Sequence, residues 1–332
     1  MGRSPKITPA YETRKGKMFN GDFFYIYQNH LKKRYKGKFQ LILTSPPFPL
    51  NNKKKYGNLT GEDYLNWLES LAPIFADLLR EDGSLVIEIG NAWEKNRPVQ
   101  SLLPLEALLR LVKHEKANLR LIQEFIVYNP ARLPSPAQWV TINRIRVVDS
   151  YTHIWWIAKT DYPKADNSKV LRPYSSNMKK LLAKKKYNSG KRPSEHKIGE
   201  SSFLKDNRGS IAHNFFELQP IDERRDVRLP YNVLSFSNTT SNDKFLIKCK
   251  EAGITPHPAR MNLGVASFFI EFLTDEDDFV LDPFAGSNTT GYVAEALNRN
   301  WISCESEEEY VNQSKFRFDD SIYNLEEKYE SV

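Results

Sequence analysis

Phe279-Val280-Leu281 run straight into Asp282-Pro283-Phe284-Ala285-Gly286-Ser287-Asn288-Thr289-Thr290-Gly291, an apolar strand followed by a loop of small residues. A helix continues through Val293, Ala294 and Leu297, and a second strand over 301–304 ends at Glu305. Gly286 lets the backbone approach a ligand closely, and the helix start offers free N–H groups at the positive end of its dipole. A carboxylate at the end of the following strand, about 20 residues on, suits the two hydroxyls of a ribose. The unit reads as a nucleoside site. It is not a site for a dinucleotide or ATP, because the loop lacks G-x-G-x-x-G spacing and carries no G-K-[ST]. The plain alternative is an ordinary βα turn with an acid downstream by chance.

Only a helix-length tail follows Glu305, so the third strand of this half is expected from the N-terminus. Met18-Phe19-Asn20-Gly21-Asp22 reads as a short strand and turn with the Asp22 carboxylate at its tip. The expected sheet is therefore circularly permuted, closed by both ends of the chain. Residues 1–17 are polar and basic and read as a loose arm, and 23–35 read as a helix.

The second distinctive stretch is Leu41-Ile42-Leu43-Thr44-Ser45-Pro46-Pro47-Phe48, a buried strand entering a stiff turn. Two prolines fix φ twice and remove two backbone donors, leaving the carbonyls of Ser45 and Pro46 free to point outward. A hydroxyl, two stiffened carbonyls and an aromatic ring suit a flat ring bearing an NH2 group. Taken alone, a proline-ended strand before a loop is an equal reading. The two stretches make one functional site only if they face each other across a cleft.

Between them, 62–79 form an amphipathic helix with Leu65, Leu68, Leu71, Phe75, Leu78 and Leu79 at helical spacing, closed by Asp82-Gly83. Strands follow at 84–90, 124–128 and 151–158, with helices over 104–112 and 266–273. Strands alternating with helices imply a largely parallel sheet, here of seven strands with helices on both faces. From 160 to about 253 the pattern dissolves into lysines amid Asn, Ser, Pro and Gly, and this segment reads as a module outside the sheet. The 332 residues, 40% of them hydrophobic, suit one α/β domain with that insertion. The expected division is 1–159 and 257–332 as two halves of one domain, with 160–256 inserted.

A net charge of +7 supports a polyanionic partner without requiring one. Cys249 and Cys304 are the only cysteines, too few for a disulfide framework and without metal-ligand spacing. No apolar stretch is long enough to span a bilayer. A soluble, cytoplasmic protein without a metal or membrane contact is expected.

Together these residues resemble the β-class DNA amino-methyltransferases, over nearly the whole chain. Thr44 to Phe48 matches the catalytic motif in the serine form of the cytosine-N4 members, and Asp282 to Gly291 matches the cofactor loop. The order, catalytic motif first and cofactor loop last, is that of the class. Lys54-Lys55-Tyr56-Gly57-Asn58-Leu59, Leu133-Pro134-Ser135-Pro136, Ile154-Trp155-Trp156, Ser210-Ile211 and His257-Pro258-Ala259-Arg260 are similar to the PvuII-type cytosine-N4 enzymes. One departure is Glu88, where that type carries an aspartate.

The resemblance implies a Rossmann-like methyltransferase fold with S-adenosyl-L-methionine as cofactor and double-stranded DNA as substrate. It implies the modification half of a restriction–modification system, with a cognate endonuclease that forms no stable complex. Ser45, Pro46, Pro47, Phe48 and Glu88 would be catalytic. The Ser45 hydroxyl and Pro46 carbonyl would bind the two amino hydrogens, favouring a pyramidal nitrogen with a free lone pair. Glu88, directly or through water, would take the proton. The cytosine must be flipped out of the duplex, with Phe48 as its stacking partner.

The cofactor would be held by Asp22, Thr44, His257, Asp282, Phe284, Gly286, Asn288, Thr289 and Glu305, with His257 shaping a turn rather than acting as a base. Lys53, Lys54, Lys55, Lys179 and Lys180 would meet phosphates, and Arg192, His196, Lys205 and Arg208 would reach DNA from the 160–256 target-recognition region. Carbon-5 methylation is excluded, since neither cysteine sits in a Pro-Cys turn. The rival readings are an adenine-N6 methyltransferase and a non-catalytic DNA-binding protein of the same fold.

Overall fold

The computed structural model describes residues 7–48, 59–187, 190–191, 193–195, 197–199, 203–219, 234–237 and 244–318. Strands β1 (Tyr11–Glu12) and β2 (Gly16–Asn20) form a hairpin. The Asp22 carboxylate then caps α1 (Phe23–Ile26) by accepting from the Tyr25 N–H at 2.9 Å. A π turn carries this helix into α2 (Lys32–Tyr35). Next come β3 (Phe39–Thr44), α3 (Gly61–Leu78), β4 (Leu79–Gly90), α4 (Leu103–Lys113), β5 (Arg120–Tyr128) and β6 (Tyr151–Ala158).

The following segment holds α5 (Ser176–Lys184), a ribbon of β7 (Gly190–Lys191) and β8 (Lys197–Ile198), β9 (Phe215–Gln219), β10 (Leu234–Ser237) and α6 (Lys244–Glu251). Helix α7 (Leu263–Leu273), β11 (Phe279–Asp282), α8 (Thr289–Ala296), β12 (Asn300–Glu305) and α9 (Glu308–Ser314) complete the order.

The main sheet runs β1-β2-β12-β11-β3-β4-β6-β5-β9-β10. Its centre is the seven expected strands, all parallel except β6, which is antiparallel to both neighbours. N-terminal β2 lies beside C-terminal β12, with Glu305 opposite Asn20, so the sheet is permuted as expected. Strands with both faces covered read as continuous apolar runs rather than alternating ones. Leu41 and Leu43 enter one core with α7 and α8, while Ile42 enters the other with α1, α3 and α4. Each such fully buried Leu or Ile stabilises the fold by about 1.5–3 kcal/mol.

From β3 the chain passes through α3 to β4 on one side; from β11 it passes through α8 to β12 on the other. Adjacent β3 and β11 therefore flank the point where strand order reverses, and ligands bind at the carboxyl ends of strands at such a point. Those ends are Thr44 and Asp282.

Three expectations need correction. Residues 7–17 are not a loose arm, because Tyr11 and Glu12 pair with Met18 and Lys17 and the Tyr11 ring packs on Trp301 and Phe318. Asp82-Gly83 does not close α3. The helix ends at Leu78, and β4 absorbs those residues where its register against β3 jumps from Leu79 to Ser84. The 160–256 segment is not wholly outside the sheet, since β9 pairs in parallel with β5 and β10 with β9. Phe216 stacks on Phe125 there, burying an aromatic edge that polar neighbours concealed in the sequence.

Candidate active site

The turn after β3 and the loop after β11 open onto one cavity of about 260 Å³. Ser45, Pro46, Pro47 and Phe48 line one side, and Asp282, Phe284, Gly286, Thr289 and Glu305 line the other, with Asp22 and His257 at its edge. The expected apposition of the two motifs is met. A hydrogen bond ties the strand ends together: the Thr44 hydroxyl donates to Asp282 Oδ1 at 2.8 Å. The Phe284 N–H donates to the same oxygen at 3.2 Å. Phe48 sits against Gly90, where an added Cβ would lie 2.8 Å from the ring, so the end of β4 is bare to receive it.

The cofactor loop is held by its own acid. Glu305 Oε2 accepts from the Gly286 N–H at 2.8 Å and Oε1 accepts from the Glu307 N–H at 2.9 Å. Two backbone bonds leave this carboxylate acceptor capacity for a ribose diol. Burial raises its carboxyl above the usual range. Gly286 has φ +51°, and a Cβ there would stand 3.1 Å from His257 Cε1. Only glycine makes that approach without strain. The His257 ring meets Tyr310 edge-on at 4.3 Å, and its Nδ1 accepts from the Ala259 N–H at 3.3 Å. Burial lowers its pKa, so the ring is neutral and shapes the turn.

Two residues expected at the cofactor stand behind the wall instead. Thr44 is fully buried and acts through Asp282. Asn288 is also fully buried with its amide engaged: Oδ1 accepts from the Gly291 N–H and Ser303 Oγ, and Nδ2 donates to the Tyr11 hydroxyl. It caps α8 from a left-handed conformation and does not face the cavity. Cys304, at the end of β12, lies in the core.

Glu88 does not line the cavity. Thr44 pairs with Ile87, so Glu88 sits one residue beyond, beside the Ser45 turn. Its carboxyl accepts from the Thr152 hydroxyl at 3.1 Å, and burial raises its pKa. Lys179, Lys180, Lys205 and Arg208 are exposed and none of them lines the cavity. Lys53, Lys54, Lys55, Arg192 and His196 lie outside the described residues.

Tyr64 and Trp67 on α3, with Phe23, were missed. Their rings form a run with Phe284 along the cavity: Tyr64–Trp67 5.8 Å, Trp67–Phe284 5.4 Å and Phe23–Phe284 5.9 Å. At helical spacing such rings read as core. The one signal in the sequence was that the leucines already filled the buried stripe of α3. The Tyr64 hydroxyl is buried and finds no partner among the described residues.

Asp282 is 4% exposed, and burial pushes its carboxyl up to about 6 from 3.8. The native state therefore holds a proton that the unfolded chain releases between those values, and stability falls as pH rises through that window. At about 1.4 kcal/mol per pH unit, the loss above pH 6 amounts to about 2–3 kcal/mol. Asp282→Asn keeps the acceptor oxygen and removes the charge. Urea unfolding at pH 7.5 is expected to show that gain, with little gain at pH 4. Equal gains at both pH values would exclude buried charge as the cause.

A carbon-rich wall, a glycine cradle, an acid placed for a diol and three carboxylates around one cavity fit a cationic nucleoside such as S-adenosyl-L-methionine. Among the described residues, no cluster of His, Cys, Asp and Glu could hold a metal and no helix is long and apolar enough to cross a membrane.

A family model described as DNA methylase (N6_N4_Mtase) matches residues 39–316. The type II methyltransferase M.PvuII of Proteus hauseri is 42% identical over 315 residues, 94% of this chain and 86% of its own length. The type II methyltransferase M.ScaI of Streptomyces caespitosus is 23% identical over 317 residues, 96% and 86% of the two lengths. The solved PvuII DNA methyltransferase (cytosine-N4-specific) is 36% identical with a TM-score of 0.69, covering 93% of this chain and 88% of that one. A Thermus thermophilus protein described as a putative DNA modification methylase, solved in complex with S-adenosyl-L-methionine, is 17% identical with a TM-score of 0.50 and coverage of 92% and 93%; it shares the fold.

Proposed function

Because this chain belongs to the N6/N4 DNA methylase family, we propose that it methylates the exocyclic N4 of cytosine in duplex DNA, at a defined site. The observation that supports this most is the single cavity joining the Ser45 turn to the Gly286 loop across the β3–β11 reversal. S-adenosyl-L-methionine, when bound, supplies the electrophilic methyl. Glu305 would take its ribose, Gly286 and Phe284 its nucleoside face, and Asp22 and Asp282 its positive charge.

The chain's own work is positioning and proton handling. Ser45 Oγ and the Pro46 carbonyl accept the two amino hydrogens, which localises the lone pair on nitrogen. Phe48, braced on Gly90, stacks on the extruded ring. Glu88, which stands off the cavity beside the Ser45 turn and is made a stronger base than an exposed carboxylate by burial, takes through a bridging water the proton that nitrogen sheds once methylated. Serine at position 45 and the likeness to the cytosine-N4-specific enzyme favour cytosine over adenine. The segment 160–256 serves as target-recognition region, with Lys179, Lys180, Lys205 and Arg208 on DNA. The protein acts in the cytoplasm as the modification partner of a restriction endonuclease, without a stable complex.

The test is nucleoside analysis of plasmid DNA incubated with the protein and methyl-labelled cofactor. Label in N4-methylcytosine is expected. Label in N6-methyladenine would move the assignment to the other amino group, and unlabelled DNA would refute the enzyme reading.

A further inference from the structure

We propose that residues 129–150 form a wedge, in which Leu133 and Val147 enter the duplex beside the extruded base and hold open the gap it leaves. This rests on the methyltransferase reading above.

The segment joins β5 to β6, and its base lies at the end of the sheet where the Ser45 turn emerges. Phe48 packs on Gly90, Gly90 pairs with Thr152, and Asn91 Nδ2 donates to Asp149 Oδ1 at 2.8 Å. Asp149 Oδ2 also lies 3.8 Å from Arg132 Nη1, so the two limbs are clamped together. Just outside that clamp stand Leu133 and Val147, 82% and 85% exposed, the most exposed aliphatic side chains among the described residues. Ile142 and Ile145 are exposed further along the same loop. Four exposed aliphatic side chains on one loop are costly in water and mark a surface that meets a partner.

The partner is DNA by charge and by position. Arg132, Arg144 and Arg146 stand in the segment against one acid, Asp149; Arg132 pairs with that acid, the Arg146 guanidinium is buried, and Arg144 is exposed. Arg146 stacks on Trp93, on the chain leaving β4. The loop is also stiff. Asn129 N–H donates to the Ser150 carbonyl at 2.7 Å, Ile145 N–H to that of Trp139 at 3.0 Å, and Thr141 Oγ1 to that of Ala137 at 2.8 Å. A preordered apolar surface loses little freedom on insertion. Minor-groove proteins insert Leu, Ile or Phe between base steps in this way, and an enzyme that extrudes a base leaves such a gap to fill.

The test begins with the wild-type protein, whose site is mapped on methylated plasmid DNA. Methyl transfer by Leu133→Ser/Val147→Ser is then measured on two short duplexes containing that site. In one the target cytosine is paired, and in the other it lies opposite an abasic position and unstacks cheaply. The double variant is expected to lose about tenfold or more on the paired duplex and to recover to within about threefold of wild type on the other. Cofactor affinity by calorimetry and the thermal midpoint should not move, since both side chains are exposed. An undiminished rate on the paired duplex, or an equal loss on both, overturns the wedge. So does sedimentation showing a wild-type dimer that the double variant dissolves, which would assign the face to a second copy of the chain. Wild-type protein that labels no DNA sinks the methyltransferase reading instead, and the wedge with it.

Discussion

Ser45→Ala is expected to lower methyl transfer by roughly 10²–10³-fold, the usual cost of deleting one preorganised polar contact at a reacting centre. Ser45 lines the cavity at the end of a strand whose next residue back, Thr44, is locked to Asp282 at 2.8 Å. Removing one oxygen leaves that scaffold intact, so S-adenosyl-L-methionine should bind with nearly unchanged affinity in calorimetry. Single-turnover rates should carry the whole loss. A variant with the wild-type single-turnover rate would remove Ser45 from the chemistry. A variant that fails to bind cofactor would show that the hydroxyl holds the cavity's shape.

Gly286→Val should split the two measurements the other way. The backbone at φ +51° costs a non-glycine residue about 1–2 kcal/mol. The first added carbon already presses on the His257 ring at 3.1 Å, and the two beyond it must find room in the cavity or against that ring. The Gly286 N–H also aims Glu305, so a shifted turn misplaces the acid meant for the ribose. Cofactor affinity is expected to fall on the order of 10²-fold, since about 2.7 kcal/mol of lost contacts and strain suffices. DNA binding measured by fluorescence anisotropy, by contrast, should be nearly preserved. Retention of tight cofactor binding would mean that the glycine loop is not the cradle. Taken together, the two variants separate the halves of the cavity.

Much of the fold was legible in advance because its strands are buried on both faces. Leu41, Ile42 and Leu43 cannot alternate with polar residues when the layers above and below are both apolar, so the run marks a central strand unaided. The acid after β12 and the bend at Gly286 were legible for a similar reason, since each needs a particular residue type at a particular place. Tyr64 and Trp67 were not, because a ring facing a cavity and a ring facing a core have the same helical spacing. Asn288 misled for the converse reason. A polar residue in a ligand loop looks like a ligand contact until its amide is found engaged by Gly291, Ser303 and Tyr11.

Local chemistry alone thus settled the rigid proline turn and the glycine bend, since each depends on backbone freedom or on neighbours a few residues away, and the order of the motifs along the chain gave the permutation. What needed the folded chain was everything set by contacts across long separations in sequence. Thr44 meets Asp282 from 238 positions away, and β9 joins the sheet where Phe216 stacks on Phe125 and packs against Phe268 and Phe269. Residues 129–150 return to the end of the sheet that carries the Ser45 turn because β6 runs antiparallel to β4. A side chain's type is local, but which surface it shares is decided by packing, and packing is a property of the whole sheet.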